Sequence, residues 1–263
     1  MPVLASAPVL LRETLTFPYR DGLGFVQALI KAGGKKMAFA GALKDPPHDT
    51  HQILHPQDYL DHKPTPVMHM PDLKPVLGKN YEKYDVGSIG EFDLMILFKQ
   101  FADEASATQL APQWDGGMYY AANKHLAEKK GNSPAAPGDL ALMYVSRWTS
   151  PDSAHAFATA YGRTVPIRYA GAVRSDCAGI ADCSTWNMGG NIVKNDPVIV
   201  QTIGNQVFVS ESFDSKTADA LRKLIVANSV TPSKVVTTKI RGGNLSMLAV
   251  SHFFAAQRAF RKH

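Results

Sequence analysis

Three histidines, His48, His51 and His55, stand within the eight residues "HDTHQILH" of the stretch "KDPPHDTHQILHP". Imidazole is the side chain most used to ligate zinc and other late transition metals, and on one helix these three positions would share a face. Their surroundings point elsewhere. Pro47 and Pro56 bracket the segment, and a residue ahead of proline is biased out of helical geometry. "DTHQ" fits a helix cap, with Asp49 as N-cap and Gln52 reaching back, so the segment reads as a capped surface turn. A metal site needs a full ligand set and groups that orient it, and between His48 and His55 Asp49 is the one carboxylate. The residue reading therefore expects no metal here and no cofactor.

The other catalytic motifs are missing. A zinc peptidase of the HExxH type needs glutamate after its first histidine to activate the bound water, and none of the nine histidines is followed by Glu. "VGSIG" lacks the first glycine of a nucleophile elbow. There is no CxxC, no GxxxxGK and no GxGxxG after a strand. A serine–histidine–aspartate set need not be contiguous, and nothing local points to one. No catalytic residue is assigned.

The elements that would position any site fall into two parts. "GLGFVQALIKAGG" reads as a helix, with Phe25, Ala28, Leu29 and Ala32 at helical spacing and Gly33-Gly34 as its stop, after a turn at "PYRDG". Seven prolines between Pro46 and Pro75 predict an extended traverse over a surface, with at most one short helical turn. "SIGEFDLMILFKQFADE" predicts a buried helix. "QWDGGMYYAANKH" and "GDLALMYVSRWTS" predict strands joined by "AEKKGNSPAAPG". A helix then opens at Ser150 with Pro151 in its first turn and ends at Gly162. A hairpin turns at Gly204-Asn205, a helix is opened by Asp214 or Ser215, and a last amphipathic helix carries Leu245, Ala249, Phe253, Ala256 and Phe260. The expected class is α+β. A helical, Pro-rich part over residues 1–110 precedes an antiparallel sheet with helices on one face and a C-terminal docking helix over 111–263.

With 263 residues, 45% hydrophobic and 19% charged, the chain can bury a sizeable core. The net charge of +5 is spread thinly over short runs, so no nucleic-acid partner is expected. No run of 18 apolar residues exists to span a membrane, and "MPVLASAPVLLRE" lacks the basic start of a signal peptide. Cys177 and Cys183 in "SDCAGIADCS" could close as a disulfide if their side chains face each other; two free thiols are the competing reading.

"LTFPYRDGLGFVQALIKAGG", followed by "DPPHDTHQILHPQDYL", resembles a segment of bacterial and archaeal secreted or lipid-anchored proteins similar to zincin-type metallopeptidases. The likeness continues through "GEFDLMILF", "QWDGGMYYAA" and "RWTSPDSAHAFATAY", and covers most of Phe17 to Phe213. In that pattern His55 matches a motif histidine, while His51 stands where the family has Glu and "GGMYY" replaces a charged "GDRY". The family's HExxH helix lies upstream of its FPY segment, so the resemblance implies a C-terminal portion without the metal-binding half. It implies a non-catalytic binding or structural relative of a zincin-like peptidase, working outside the cytoplasm. The alternative is part of a secreted zinc metallopeptidase whose ligands lie upstream or on a partner. Loss of the neighbouring half should also bare the helix around Phe25, Val26 and Leu29, and a homodimer is expected to cover it.

Overall fold

Pro18 does not break the first helix. In the computed structural model, which describes residues 7–64, 68–124, 140–188 and 196–229, helix α1 (Val9–Lys35) runs through it. Continuing the helix keeps Glu13, Phe17, Phe25 and Leu29 on one buried face at multiples of four residues, which a turn at "PYRDG" would split. Phe17 meets Phe92 with ring centroids 4.2 Å apart, and buried Glu13 accepts from Arg20 at 3.1 Å. The helix is interrupted at the expected glycines, with Gly34 at φ 72°, and helical structure resumes over Lys36–Gly41 and Ala42–Lys44.

The proline-rich traverse is more helical than the sequence suggests. Two short helices, α2 (Thr50–Leu54) and α3 (Pro56–Leu60), meet at His55, and a third, α4 (Lys74–Leu77), follows. Proline at a first helical position lacks only an N–H that would be unpaired there anyway, so Pro56 starts α3 rather than merely ending α2. Ile53, Tyr59 and Leu60 of this segment pack on Phe25, Leu29 and Ala38. The patch expected to lie bare on α1 is thus covered by the chain itself. The apolar residues that α1 does expose, Leu11, Leu15, Tyr19 and Leu23, form a separate stripe at four-residue spacing. Helix α5 (Glu91–Phe101) is buried as predicted.

The sheet has seven strands, all antiparallel: β1 (Tyr81–Gly87), β2 (Trp114–Lys124), β3 (Leu140–Trp148), β4 (Ala172–Asp176), β5 (Cys183–Met188), β6 (Val198–Ile203) and β7 (Gln206–Glu211), in spatial order β1-β2-β3-β7-β6-β5-β4. Helix α6 (Pro151–Arg168) and helix α7 (Ser215–Ser229) complete this part. The class is α+β with a helical N-terminal part, as the sequence implies. The helices, however, lie on both faces of the sheet. Met143, Val145 and Phe208 share a core with Ala218, Leu221 and Ile225 of α7. The alternate residues Tyr144 and Trp148 meet Phe157 of α6. Strands β3, β6 and β7 are buried along nearly their whole length, and only cover on both sides can bury successive residues of a strand.

The chain divides into a helical unit, drawn from residues up to Pro66 and from Gly90–Pro112, and a sheet unit, drawn from Val67–Ile89 and from Gln113 onward. Residues 67–89 fall in the sheet unit because β1 pairs with β2, a strand the sequence reading did not find. The turn "AEKKGNSPAAPG" and the C-terminal helix at Leu245–Phe260 lie outside the described residues.

Within the sheet unit, α6 is fastened to β7 by a fully buried ion pair. Arg168 donates through Nη1 and Nη2 to the two carboxylate oxygens of Glu211 at 2.9 and 2.6 Å. The hydroxyls of Tyr161 and Tyr169 donate to the same carboxylate at 2.6 and 2.7 Å, and Arg168 Nε donates to Thr164 at 3.1 Å. Burial disfavours the guanidinium charge, but Glu211 outweighs it and raises the Arg168 pKa.

Cys177 and Cys183 are joined as a disulfide, their Cα atoms 5.3 Å apart, which decides between the two readings of "SDCAGIADCS". The Cys177 N–H also donates to the Cys183 carbonyl at 3.0 Å, closing the β4–β5 connection.

Candidate functional site

The histidine segment folds from its cap outward. Asp49 is the N-cap of α2, its carboxylate accepting the Gln52 N–H at 2.9 Å. Gln52 reaches back one residue further than a capping box requires, accepting the His48 N–H at 2.8 Å, while its amide donates to the Lys63 carbonyl at 3.3 Å. This turns the rings of His51 and His55 toward each other, centroids 4.4 Å apart. His48 contributes its backbone, and its ring is not part of the cluster.

Opposite them stands Glu91, the first residue of α5, its side chain almost wholly buried. Glu91 Oε2 lies 2.5 Å from His51 Nδ1, and its two oxygens lie 3.0 and 3.1 Å from His55 Nε2. His51 Nε2 is 3.1 Å from Asp58 Oδ2, and Asp58 also accepts from Lys63 at 2.6 Å. With a carboxylate against each ring nitrogen, His51 satisfies both only as the imidazolium. Burial works against that charge, but the hydrogen bond and charge of Glu91, with Asp58 behind it, raise the His51 pKa. Burial likewise pushes Glu91 up, and the hydrogen bonds of His51 and His55 reverse it, so its pKa is lowered. The spacing of the two histidines was visible in the sequence. Glu91 was not linked to them, because 36 residues separate it from His55 and no local pattern joins the two.

Gly90 precedes α5 in extended geometry, and a Cβ there would stand 3.1 Å from Thr50 Oγ1, so the missing side chain lets α2 close on the start of α5. The Gly90 N–H is accepted by Asp93 at 2.9 Å. Burial lifts the Asp93 carboxyl to about 6, the Gly90 N–H only partly opposing it. A carboxyl whose pKa rises on folding binds its proton more tightly in the folded state, so stability falls as pH climbs from about 4 to about 6 and is level above that. Asp93→Asn keeps an acceptor for Gly90 without the charge. It is expected to flatten that fall and to gain about 1–2 kcal/mol near neutral pH, read from urea unfolding of both proteins across this range.

The sheet unit holds a cleft of about 510 Å³ between α6 and strands β4, β5 and β6. Trp186 and Val200 line its apolar side, and His155, Arg163 and Arg174 bring basic groups to it, against Asp182 alone on the acidic side. Arg174 donates to Asp176 and Ser184 at 3.1 and 2.7 Å. Arg163 is exposed and makes no ion pair among the described residues. In "QWDGGMYY" Gly117 serves packing, since a Cβ there would stand 2.7 Å from the Tyr144 hydroxyl and 2.9 Å from the Ile89 carbonyl, while Gly116 has φ 120°.

These features define an α+β protein with a partly buried histidine–carboxylate cluster in its helical unit and a basic, aromatic-walled cleft in its sheet unit. Residues 79–222 match the family described as "Domain of unknown function (DUF8575)", and the chain belongs to that family. No curated protein matches the sequence. Among solved structures, the extracellular domain of PknH from Mycobacterium tuberculosis is similar at a TM-score of 0.38 and 9% identity, over 62% of this chain and 91% of that one. No helix among the described residues is long and apolar enough to cross a membrane.

Proposed function

We propose that this chain is a non-catalytic binding protein whose ligand is a small anion with an apolar face, held in the cleft beside α6. The observation that carries this reading is the cleft itself: its volume of about 510 Å³ is that of a small-molecule site, and an indole wall faces basic side chains across it. Descent from a zincin-like scaffold is part of the same proposal. What supports it is the likeness of "LTFPYRDGLGFVQALIKAGG" and "DPPHDTHQILHPQDYL" to segments of such proteins. An extracytoplasmic location is supported by the Cys177–Cys183 disulfide, since such bonds persist in oxidising compartments. Self-association belongs to the proposal too, and the stripe of Leu11, Leu15, Tyr19 and Leu23 is the surface it would use.

The test is a titration of the full chain with 2-naphthalenesulfonate, read by tryptophan fluorescence. Saturable quenching is expected, weakened about tenfold or more by Arg163→Ala, because Arg163 lines the cleft, is exposed and makes no ion pair among the described residues. Casein incubated with the chain and zinc should stay intact. Quenching that does not saturate, or that is the same in Arg163→Ala, refutes the cleft as the site. Cleavage of casein would favour the peptidase alternative.

A further inference from the structure

We propose that His51, His55 and Glu91 form a binding site for one divalent transition-metal ion, with Asp58 orienting His51. This is independent of the cleft and lies within the helical unit. The geometry comes first. One ligand atom from each of the three side chains falls within 4.8 Å of the others, and the His55–Glu91 pair is at 3.0 Å. Ligands about 2.0–2.1 Å from a tetrahedral zinc ion stand about 3.4 Å apart, so side-chain adjustments of an ångström or less bring all three onto one ion.

The chemistry of the donors selects the ion. Two imidazoles and one carboxylate suit zinc, cobalt, nickel or copper, whereas magnesium and calcium prefer all-oxygen shells. A carboxylate behind a ligating histidine is the usual device for holding its ring, and Asp58 Oδ2 at 3.1 Å from His51 Nε2 stands in that place. That leaves His51 Nδ1, the atom facing Glu91, as the ligand.

The supporting frame is rigid enough to keep the donors together. Glu91 is anchored in an 11-residue buried helix, and His51 sits in a turn pinned by Asp49 and Gln52. With three protein ligands, a tetrahedral ion would keep one position for water or a ligand atom. Gln52 is an amide and cannot take a proton from that water, so the site is assigned to binding and not to hydrolysis.

The experiment uses the whole chain, stripped with a chelator and titrated with zinc chloride in a calorimeter. One zinc per chain is expected, with a dissociation constant in the micromolar range or below, and cobalt(II) should give visible ligand-field bands of a tetrahedral N/O site. His55→Ala should weaken zinc about 100-fold or more, and Asp58→Asn about tenfold. His48→Ala should leave it unchanged, since that ring is outside the cluster. If His55→Ala does not fold, the cobalt spectrum of the unaltered chain and the Asp58→Asn titration decide. Absence of zinc binding by the unaltered chain, or binding that His55→Ala and Asp58→Asn leave intact, overturns the proposal and reduces the cluster to an ion pair.

Discussion

Replacing Glu211 with alanine is expected to destabilise the sheet unit by about 3–5 kcal/mol. The side chains of Arg168 and Glu211 both have no exposure to water, and the carboxylate accepts four hydrogen bonds, two from Arg168 and one each from Tyr161 and Tyr169. Removing it takes away the carboxylate that a buried guanidinium and two tyrosine hydroxyls share. Glu211→Gln keeps the shape but not the charge, and should recover only part of the loss. Exchanging both partners for apolar residues, Arg168→Met with Glu211→Leu, should cost less than Glu211→Ala alone, because no charge is then stranded. Urea unfolding of the four proteins checks the order. A Glu211→Ala cost below about 1 kcal/mol would mean that water reaches the pair.

Much of this frame was legible where local chemistry and tertiary packing agree. The 204–205 turn carries a glycine at φ 58°, which the hairpin needs, and β6 and β7 pair across it from Ile203 opposite Gln206. Asp214 caps α7 by accepting the Thr217 N–H at 3.0 Å. The strands that were missed lie toward the sheet's two ends. β1 and β4, the edges, expose most of their residues and carry charges such as Glu82, Lys83 and Arg174, so they present no apolar alternation to read. β5 is identified by its partners, pairing with β6 from Cys183 to Trp186. The candidate metal site was half legible for the same reason. A spacing of four between His51 and His55 is local, whereas Glu91 joins them only because α2 and α5 pack together within one unit.

Gly162 shows the opposite failure, a local signal overruled by packing, and it carries the second large prediction. As a helix stop it would end α6, yet α6 continues to Arg168, even with Pro166 in its last turn. Continuing is what brings Arg168 to Glu211. The glycine is there for clearance: a Cβ on Gly162 would stand 2.8 Å from Trp186 Cζ2 and 2.9 Å from Cη2. Alanine in place of glycine inside a helix ordinarily stabilises it by about 1 kcal/mol. Here the indole is buried against the sheet and can yield only by leaving its place, which overpacking data value at about 1–3 kcal/mol. Gly162→Ala is therefore expected to lower stability despite its better helix propensity, and Gly162→Val to lower it further. Because Trp186 forms a wall of the cleft, the same change should shift tryptophan emission and weaken naphthalenesulfonate quenching. An alanine variant more stable than the parent, with unaltered emission, would show that the ring does not sit against the helix.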